Sequence, residues 1–463
     1  MSLMVKKLGM AAAGANTEAP VGDYFAVFNN NGTSPWTDAE FCIDVTTDSR
    51  NQVYSLWGVG GSTSYNIIVL KQDENGSIQW KRYFSWGASG AGWTPTAVRC
   101  DSSDRPHVLF WNQSGPPQSG ELHCLNPSTG ATNFSTRWTD TDQSGGYSGF
   151  QFYQSYLAAQ LMEIDNDTLY MCGNAYPSPT TRKNLSLIYS IGSSSYTLEV
   201  ATEIGPDSDN SSPDTLACGT YNGNLIAIVV LYGERGIVTH NDSGTQQGNT
   251  LNLSSYGSSS SSSYIDKNTG NIYLIDFANS EVDFLVVKYN SSGTKQWEKK
   301  FTENTTYVSR VLYYYNGLTV DADENVYVNF TAEKNYWRNC VMKLNSSGTL
   351  QWVQPITWSQ NTDIFAQRIH IDQSGSLYAT SSSRGALIKF PSDGSLTGSW
   401  SGFGSYSLTL GNDNWVTEGS NNKWSNLSSL GAIYVSGTQT PRSLTPLTNN
   451  SGPTTNPATN TLS

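Results

Sequence analysis

Four histidines, His107, His123, His240 and His370, are the only imidazoles in the chain, and a zinc centre would need three or four ligands converging on one point. Each falls in a strand or turn of a different repeat or half repeat, so packing within strands is the simpler reading. The stretch DADENVYVNF, with Asp321, Asp323 and Asn325, begins like a calcium loop. Its sixth position is Val326 and its twelfth Ala332, where an EF-hand needs Gly and Glu, so a hairpin turn is expected. Asp44, Asp101, Asp266, Asp321 and Asp372 recur beside similar turns. Glycoside hydrolysis would require two such carboxylates a few ångströms apart, but their periodicity marks a repeated structural role. No G-x-S-x-G, P-loop or H-E-x-x-H occurs, so no catalytic, cofactor-binding or metal-binding residue is assigned and no cofactor is expected.

Six cysteines (Cys42, Cys100, Cys124, Cys172, Cys218 and Cys340) are far apart, with no C-x-x-C pair. They read as small buried apolar residues in strands. Charged residues make up 14% of the chain and the formal charge is -12, against about a quarter charged in an average soluble protein. With its 26 basic residues scattered, the chain is not expected to bind nucleic acid. No run of 18 apolar residues is present, so no membrane insertion is expected. The opening MSLMVKKLGMAAAGANTEA has too weak an apolar part for a signal peptide and reads as an arm.

The elements around these residues repeat. KYNSSGTKQWEKKF (288–301) and KLNSSGTLQWVQPI (343–356) are near copies of one β-hairpin. Eight such hairpins have turn glycines at Gly32, Gly76, Gly130, Gly192, Gly244, Gly293, Gly348 and Gly394, a mean spacing of roughly 52 residues, the size of a propeller blade. Between them recurs a second strand-turn-strand unit, as in LTVDADENVYVNF (318–330) and IHIDQSGSLYATS (369–381), the last copy being YSLTLGNDNWVTEG (406–419). Alternating apolar and polar residues suit half-buried strands. One inner pair and one outer hairpin make a four-stranded antiparallel blade.

The expected fold is therefore an all-β, eight-bladed propeller, with seven blades as the alternative. Tyr24–Trp36 and Tyr406–Gly419 are expected to pair as halves of one composite blade, which closes the ring and removes exposed edges. The expected divisions are an N-terminal arm (1–22), the propeller (23–420) and a C-terminal segment and tail (421–463). Gly32, Gly76, Gly293, Gly348 and Gly394 supply the positive φ of the turn, and Trp36, Trp80, Trp297, Trp352 and Trp400, four residues later, are placed to cover the seams between blades.

The N-S-S-G-T-x-Q-W hairpin and the D-x-x-G-N-x-Y turn resemble the bacterial β-propeller repeats abbreviated SBBP. The Gly-x-x-x-Trp step is similar to the tryptophan-docking repeat of pyrroloquinoline-quinone dehydrogenases, but the vicinal Cys-Cys pair of that family is missing, which speaks against a quinone enzyme. The short leader, low charge and Asn/Ser/Thr/Gly-rich repeats look like virion structural proteins of tailed bacteriophages that infect cyanobacteria. That resemblance implies a non-catalytic, multi-copy virion component, a tail, fibre or capsid-decoration module, held to other virion proteins by its terminal arms and presenting loops to host-surface glycans. A secreted or envelope-associated adhesion scaffold, and a propeller enzyme acting on carbohydrate or using a quinone, are the alternatives.

Overall fold

In the computed structural model, the described residues are 2–7, 24–29, 39–60, 66–84, 93–112, 119–140, 149–151, 161–176, 183–204, 214–231, 234–241, 250–252, 262–277, 283–303, 310–334, 336–358, 365–382, 386–403, 406–411, 416–418, 431–433, 440–441 and 444–446. They form seven antiparallel sheets. These are the blades of a β-propeller, numbered here in chain order: blade 1 spans 39–84, blade 2 93–140, blade 3 149–204, blade 4 214–252, blade 5 263–303, blade 6 310–358 and blade 7 365–391.

Blade 7 takes its fourth strand from the other end of the chain. Tyr24–Asn29 pairs with Ala386–Pro391, with Tyr24 opposite Lys389 and Val27 opposite Ala386. Closure is thus by a composite blade of N- and C-terminal strands, but the count is seven, and Tyr406–Gly419 is not the partner. Tyr406–Leu410 lies on the outer strand of blade 6, and Val416–Glu418 on that of blade 5. The eight-blade count fails because the first and last hairpins each give one strand to the same blade. Gly398–Phe403, the expected second strand of the last hairpin, pairs instead with Tyr406–Leu410 at the edge of blade 6.

Both faces of each blade are covered, which turns strands into apolar runs rather than strict alternations. Ile67, Ile68, Val69 and Leu70 are all fully buried. Ile67 and Val69 pack against Val98, Val108 and Phe110 of blade 2, whereas Ile68 and Leu70 pack against Tyr378 and Leu387 of blade 7. The same division holds around the ring, with one apolar cluster in each of the seven seams. The core is therefore a ring of interfaces.

The segments beyond the ring add fifth strands. Ser2–Lys7 pairs with Tyr24–Asn29. From Tyr406 the chain travels back around the rim, against blade order, and pairs in turn with the last residues of the outer strands. Leu408–Leu410 lies on blade 6, Val416–Glu418 on blade 5, Gly431–Ile433 on blade 4, Thr440–Pro441 on blade 3 and Leu444–Pro446 on blade 2. This belt covers edges that would otherwise offer unpaired backbone groups. Among the described residues, blade 1 alone keeps four strands.

Candidate functional site at the ring axis

One side-chain-capped turn recurs around the ring, twice in blades 1 and 6 and once in blades 2, 5 and 7. In the inner turns Asp48, Asp101, Asp321 and Asp372 each accept, through Oδ1, the backbone N–H groups two and four residues on. Asp73, Asn290 and Asn345 do the same in outer hairpins. The residue three positions on has positive φ, and it is Gly at 76, 293, 348 and 375 and Asn51, Asp104 or Glu324 elsewhere. Side-chain capping of the turn permits those non-glycine residues at modest cost. Asp321, the first residue of the calcium-like stretch, has both oxygens filled, Oδ1 by two amides and Oδ2 by Asn325 Nδ2 at 2.8 Å and the Tyr327 hydroxyl at 2.9 Å. Among the described residues no three His, Cys, Asp or Glu side chains are grouped to hold a metal ion.

The turn aspartate of blade 1 is Asp48, not Asp44, because a bulge between Cys42 and Asp44 shifts the strand. Asp44 is instead the hub of the axis. It is 2% exposed and accepts the amides of Val45 and Val98 at 3.0 Å each and Arg99 Nη1 at 2.7 Å, with Arg368 Nε at 3.8 Å. Blades 1, 2 and 7 are thereby tied together. Arg99 Nε also lies 3.9 Å from Glu163 of blade 3, and Lys267 Nζ of blade 5 is 3.9 Å from the other Glu163 oxygen. Burial, with Arg99 close by, lowers the Arg368 guanidinium to about 10 against the opposing pull of Asp44. His370, whose Nε2 is 2.9 Å from Thr47 Oγ1, is pushed down to about 4 by burial and then by Arg99. At the ring axis this His is neutral at pH 7, and the carboxylate of Asp44 is occupied by donors.

The remaining histidines serve single seams. His107 is fully buried between Asp101 Oδ2 at 3.0 Å and the Tyr196 hydroxyl at 2.7 Å. His123 is 3.1 Å from Glu121 and packs against Phe84 and Phe110. His240 is fully buried, has no hydrogen-bond partner for either ring nitrogen among the described residues, and is lowered to about 4 by burial.

Three of the five expected tryptophans, Trp80, Trp297 and Trp352, cover seams. The ring of Trp80 lies against Gly130 of blade 2, Trp297 against Gly348 of blade 6 and Trp352 against Gly394 of blade 7. A Cβ at Gly130 would come within 2.6 Å of the Trp80 ring, so glycine serves both the turn and the dock. Trp80 Nε1 donates to Pro127 O at 3.0 Å and Trp297 Nε1 to Ser346 O at 2.8 Å. Gly32 and Trp36 lie outside the described residues. Trp400 is in the strand Gly398–Phe403 on blade 6.

A lysine in the same row completes the dock. Lys71, Lys288, Lys343 and Lys389 stand between Tyr54 and Trp80, Tyr273 and Trp297, Tyr327 and Trp352, and Tyr378 and Tyr24. Each ammonium sits 5.2–5.6 Å from its tyrosine ring and reaches into the turn of the next blade. The acceptors are Pro127 O at 2.9 Å, Glu324 Oε2 at 2.7 Å, Ser392 O at 3.4 Å and Glu74 O at 2.7 Å. The Tyr-Lys-Trp row was readable as a repeat, since Lys precedes the turn Asn in both quoted hairpins. Asp44, Arg99 and Arg368 carried no such signal.

No protein-family model matches the chain. No curated protein matches it either. Among solved structures it is similar to the Dos1 propeller, at 8% identity over 84% of this chain and 94% of that one with a TM-score of 0.42. It is similar to a subtype N10 neuraminidase-like protein of a little yellow-shouldered bat isolate from Guatemala, at 9% identity, 70% and 97% coverage and a TM-score of 0.41. A third likeness is to prolyl oligopeptidase B of Galerina marginata, at 9% identity, 78% and 52% coverage and a TM-score of 0.38. These likenesses concern fold, which the strand topology already defines as a β-propeller.

Proposed function

We propose that this chain is a non-catalytic β-propeller scaffold of a bacteriophage particle, a rigid multi-copy module of the tail, a fibre or the capsid surface that presents loops outward, including toward host glycans. The observation that carries the non-catalytic part is the state of Asp44. A general base or nucleophile needs a free lone pair facing a substrate, whereas this carboxylate is 2% exposed and filled by two amides and a guanidinium. The axis therefore acts as a weld between blades. The belt adds to rigidity by covering five outer edges with the chain's own strands. The virion assignment rests on the sequence resemblance.

Immunogold labelling of purified particles, with antibody raised against the isolated propeller, tests this reading. Gold at one fixed position on the particle is the expected result, and labelling confined to the particle-free fraction overturns it. Truncation of residues 1–20 or 438–463 is expected to leave a folded ring that no longer joins the particle, so normal incorporation of both truncations removes the terminal segments as attachment devices.

A further inference from the structure

The two ends of the chain cover the outer edges of the ring unequally. Ser2–Lys7 adds a fifth strand to blade 7, and the chain from Tyr406 onward covers blades 6, 5, 4, 3 and 2 in that order. Blade 1 is next in the same direction, and among the described residues nothing pairs with the outer side of its last strand, Ile78–Phe84. A strand edge of this kind presents a row of unpaired N–H and C=O groups. On the same strand Arg82 Nε is buried with no hydrogen-bond partner among the described residues.

This open edge is built like the edges that are covered. IQWKRYF (78–84), KQWEKKF (295–301) and LQWVQPI (350–356) share Gln-Trp and an apolar residue four positions after the tryptophan, Phe84, Phe301 and Ile356. At Phe301 and Ile356 the covering strands of blades 5 and 6 are paired through Glu418 and Leu410. All five covering strands run antiparallel to the strand they cover, so a strand that continued the belt would meet blade 1 at Phe84 in the same sense.

The chain has the length to reach it. Between consecutive covering strands it uses from two residues (442–443) to twelve (419–430), and 17 residues (447–463) follow Pro446 on blade 2. Beyond Pro457, the stretch Thr459–Leu462 lacks Pro and Gly and carries β-branched Thr at alternate positions, which suits a strand. Twelve residues (447–458) precede it, as many as in the longest link already in use. A segment anchored on the neighbouring blade also closes a short loop at small entropic cost, where a strand of a second copy would have to arrive from solution.

We propose that the outer edge of blade 1 is a docking site for the C-terminal segment of the same chain, with Thr459–Leu462 adding antiparallel to Ile78–Phe84 at its Phe84 end. The belt then covers all seven blades, and main-chain hydrogen bonds hold the added strand.

Hydrogen–deuterium exchange with peptide mapping tests this, on the full chain and on a chain ending at Pro446. The peptide spanning Ile78–Phe84 is expected to exchange roughly tenfold more slowly in the full chain, the protection that about one net hydrogen bond confers, while Lys295–Glu303 exchanges alike in both. A synthetic 447–463 peptide added to the shortened chain should restore the protection. Should the truncation loosen the whole ring and speed Lys295–Glu303 as well, the full chain carrying Thr459→Pro and Thr461→Pro, which removes two strand donors, replaces it, and faster exchange confined to Ile78–Phe84 is expected. Equal exchange at Ile78–Phe84 with and without the change overturns the proposal. So does protection in the full chain that disappears on dilution, which would give the edge to a second copy.

Discussion

Blades 5, 6, 7 and 1 and blades 2, 3 and 4 solve the same problem differently. In the first group a Tyr-Lys row reaches the next blade, and in three of the four a tryptophan closes over a turn glycine. In the second group each seam is improvised. Seam 2/3 uses His107, Tyr196 and Arg105, whose Nη1 donates to Gly192 O at 3.0 Å. Seam 4/5 packs Tyr221 on Gly270, and seam 3/4 leaves polar atoms buried and unmatched. Apolar clusters fill all seven seams alike, so what separates the groups is how polar groups cross each one. Hydrophobic burial holds any blade to any other, while directional bonds fix register and rigidity.

The sharpest way to break this comparison is to remove its largest element. Trp80→Ala should destabilise the ring by about 3–5 kcal/mol, whereas Val200→Ala on the outer strand facing seam 3/4 should cost only about 1–2 kcal/mol. Equal losses in denaturant titrations would mean that the tryptophan dock is incidental.

Acid should act on both groups. The folded values of His240 and His370 are about 4, below the ordinary 6.5, so the unfolded chain binds more protons between those limits. Stability contributed by the neutral rings is full above about pH 6.5 and is lost as pH falls toward 4, by about 3 kcal/mol for a fully buried ring. His240→Leu should flatten part of this limb in pH-dependent melting without loss at neutral pH. A limb identical to that of the parent would show that His240 is hydrated in solution.

Two glycines sharpen the argument further. Gly348 and Gly223 both have positive φ, at 80° and 75°, but a Cβ at Gly348 meets the Trp297 ring at 2.9 Å whereas one at Gly223 meets nothing within 4 Å. Both alanine variants incur about 1–2 kcal/mol for the backbone, and Gly348→Ala should lose about 1 kcal/mol more for the crowded dock. Smallest is Lys343→Met, expected to cost about 1 kcal/mol through its tyrosine contact and its bond to Ser392 O. No measurable change there would reduce the lysine row to a spacer.

Much of the repeat was legible in the chain. NSSGTKQW and NSSGTLQW fix a capped turn, a positive-φ glycine and a tryptophan at one distance, and local hydrogen bonds alone suffice to form such a turn. The candidate site was less legible. Asp44 looks like one more turn aspartate until the bulge at Cys42 displaces it, and its partners Arg99 and Arg368 are 55 and 324 positions away. Asn51, Asp104 and Glu324 take the turn position that glycine occupies elsewhere, so a search for glycine alone misses those turns.

By itself the sequence determined the blade: strand alternation, turn chemistry and the spacing of glycine and tryptophan are short-range properties written within about fifty residues. Only the tertiary structure decided how many blades there are and where the ends go. Tyr24–Asn29 and Gly398–Phe403 are both plausible edge strands for blade 7, and a backbone edge accepts either through the same hydrogen bonds. The choice depends on which strand can reach that edge once seven wedges have closed the circle, a condition that belongs to the ring as a whole and to no single segment of it.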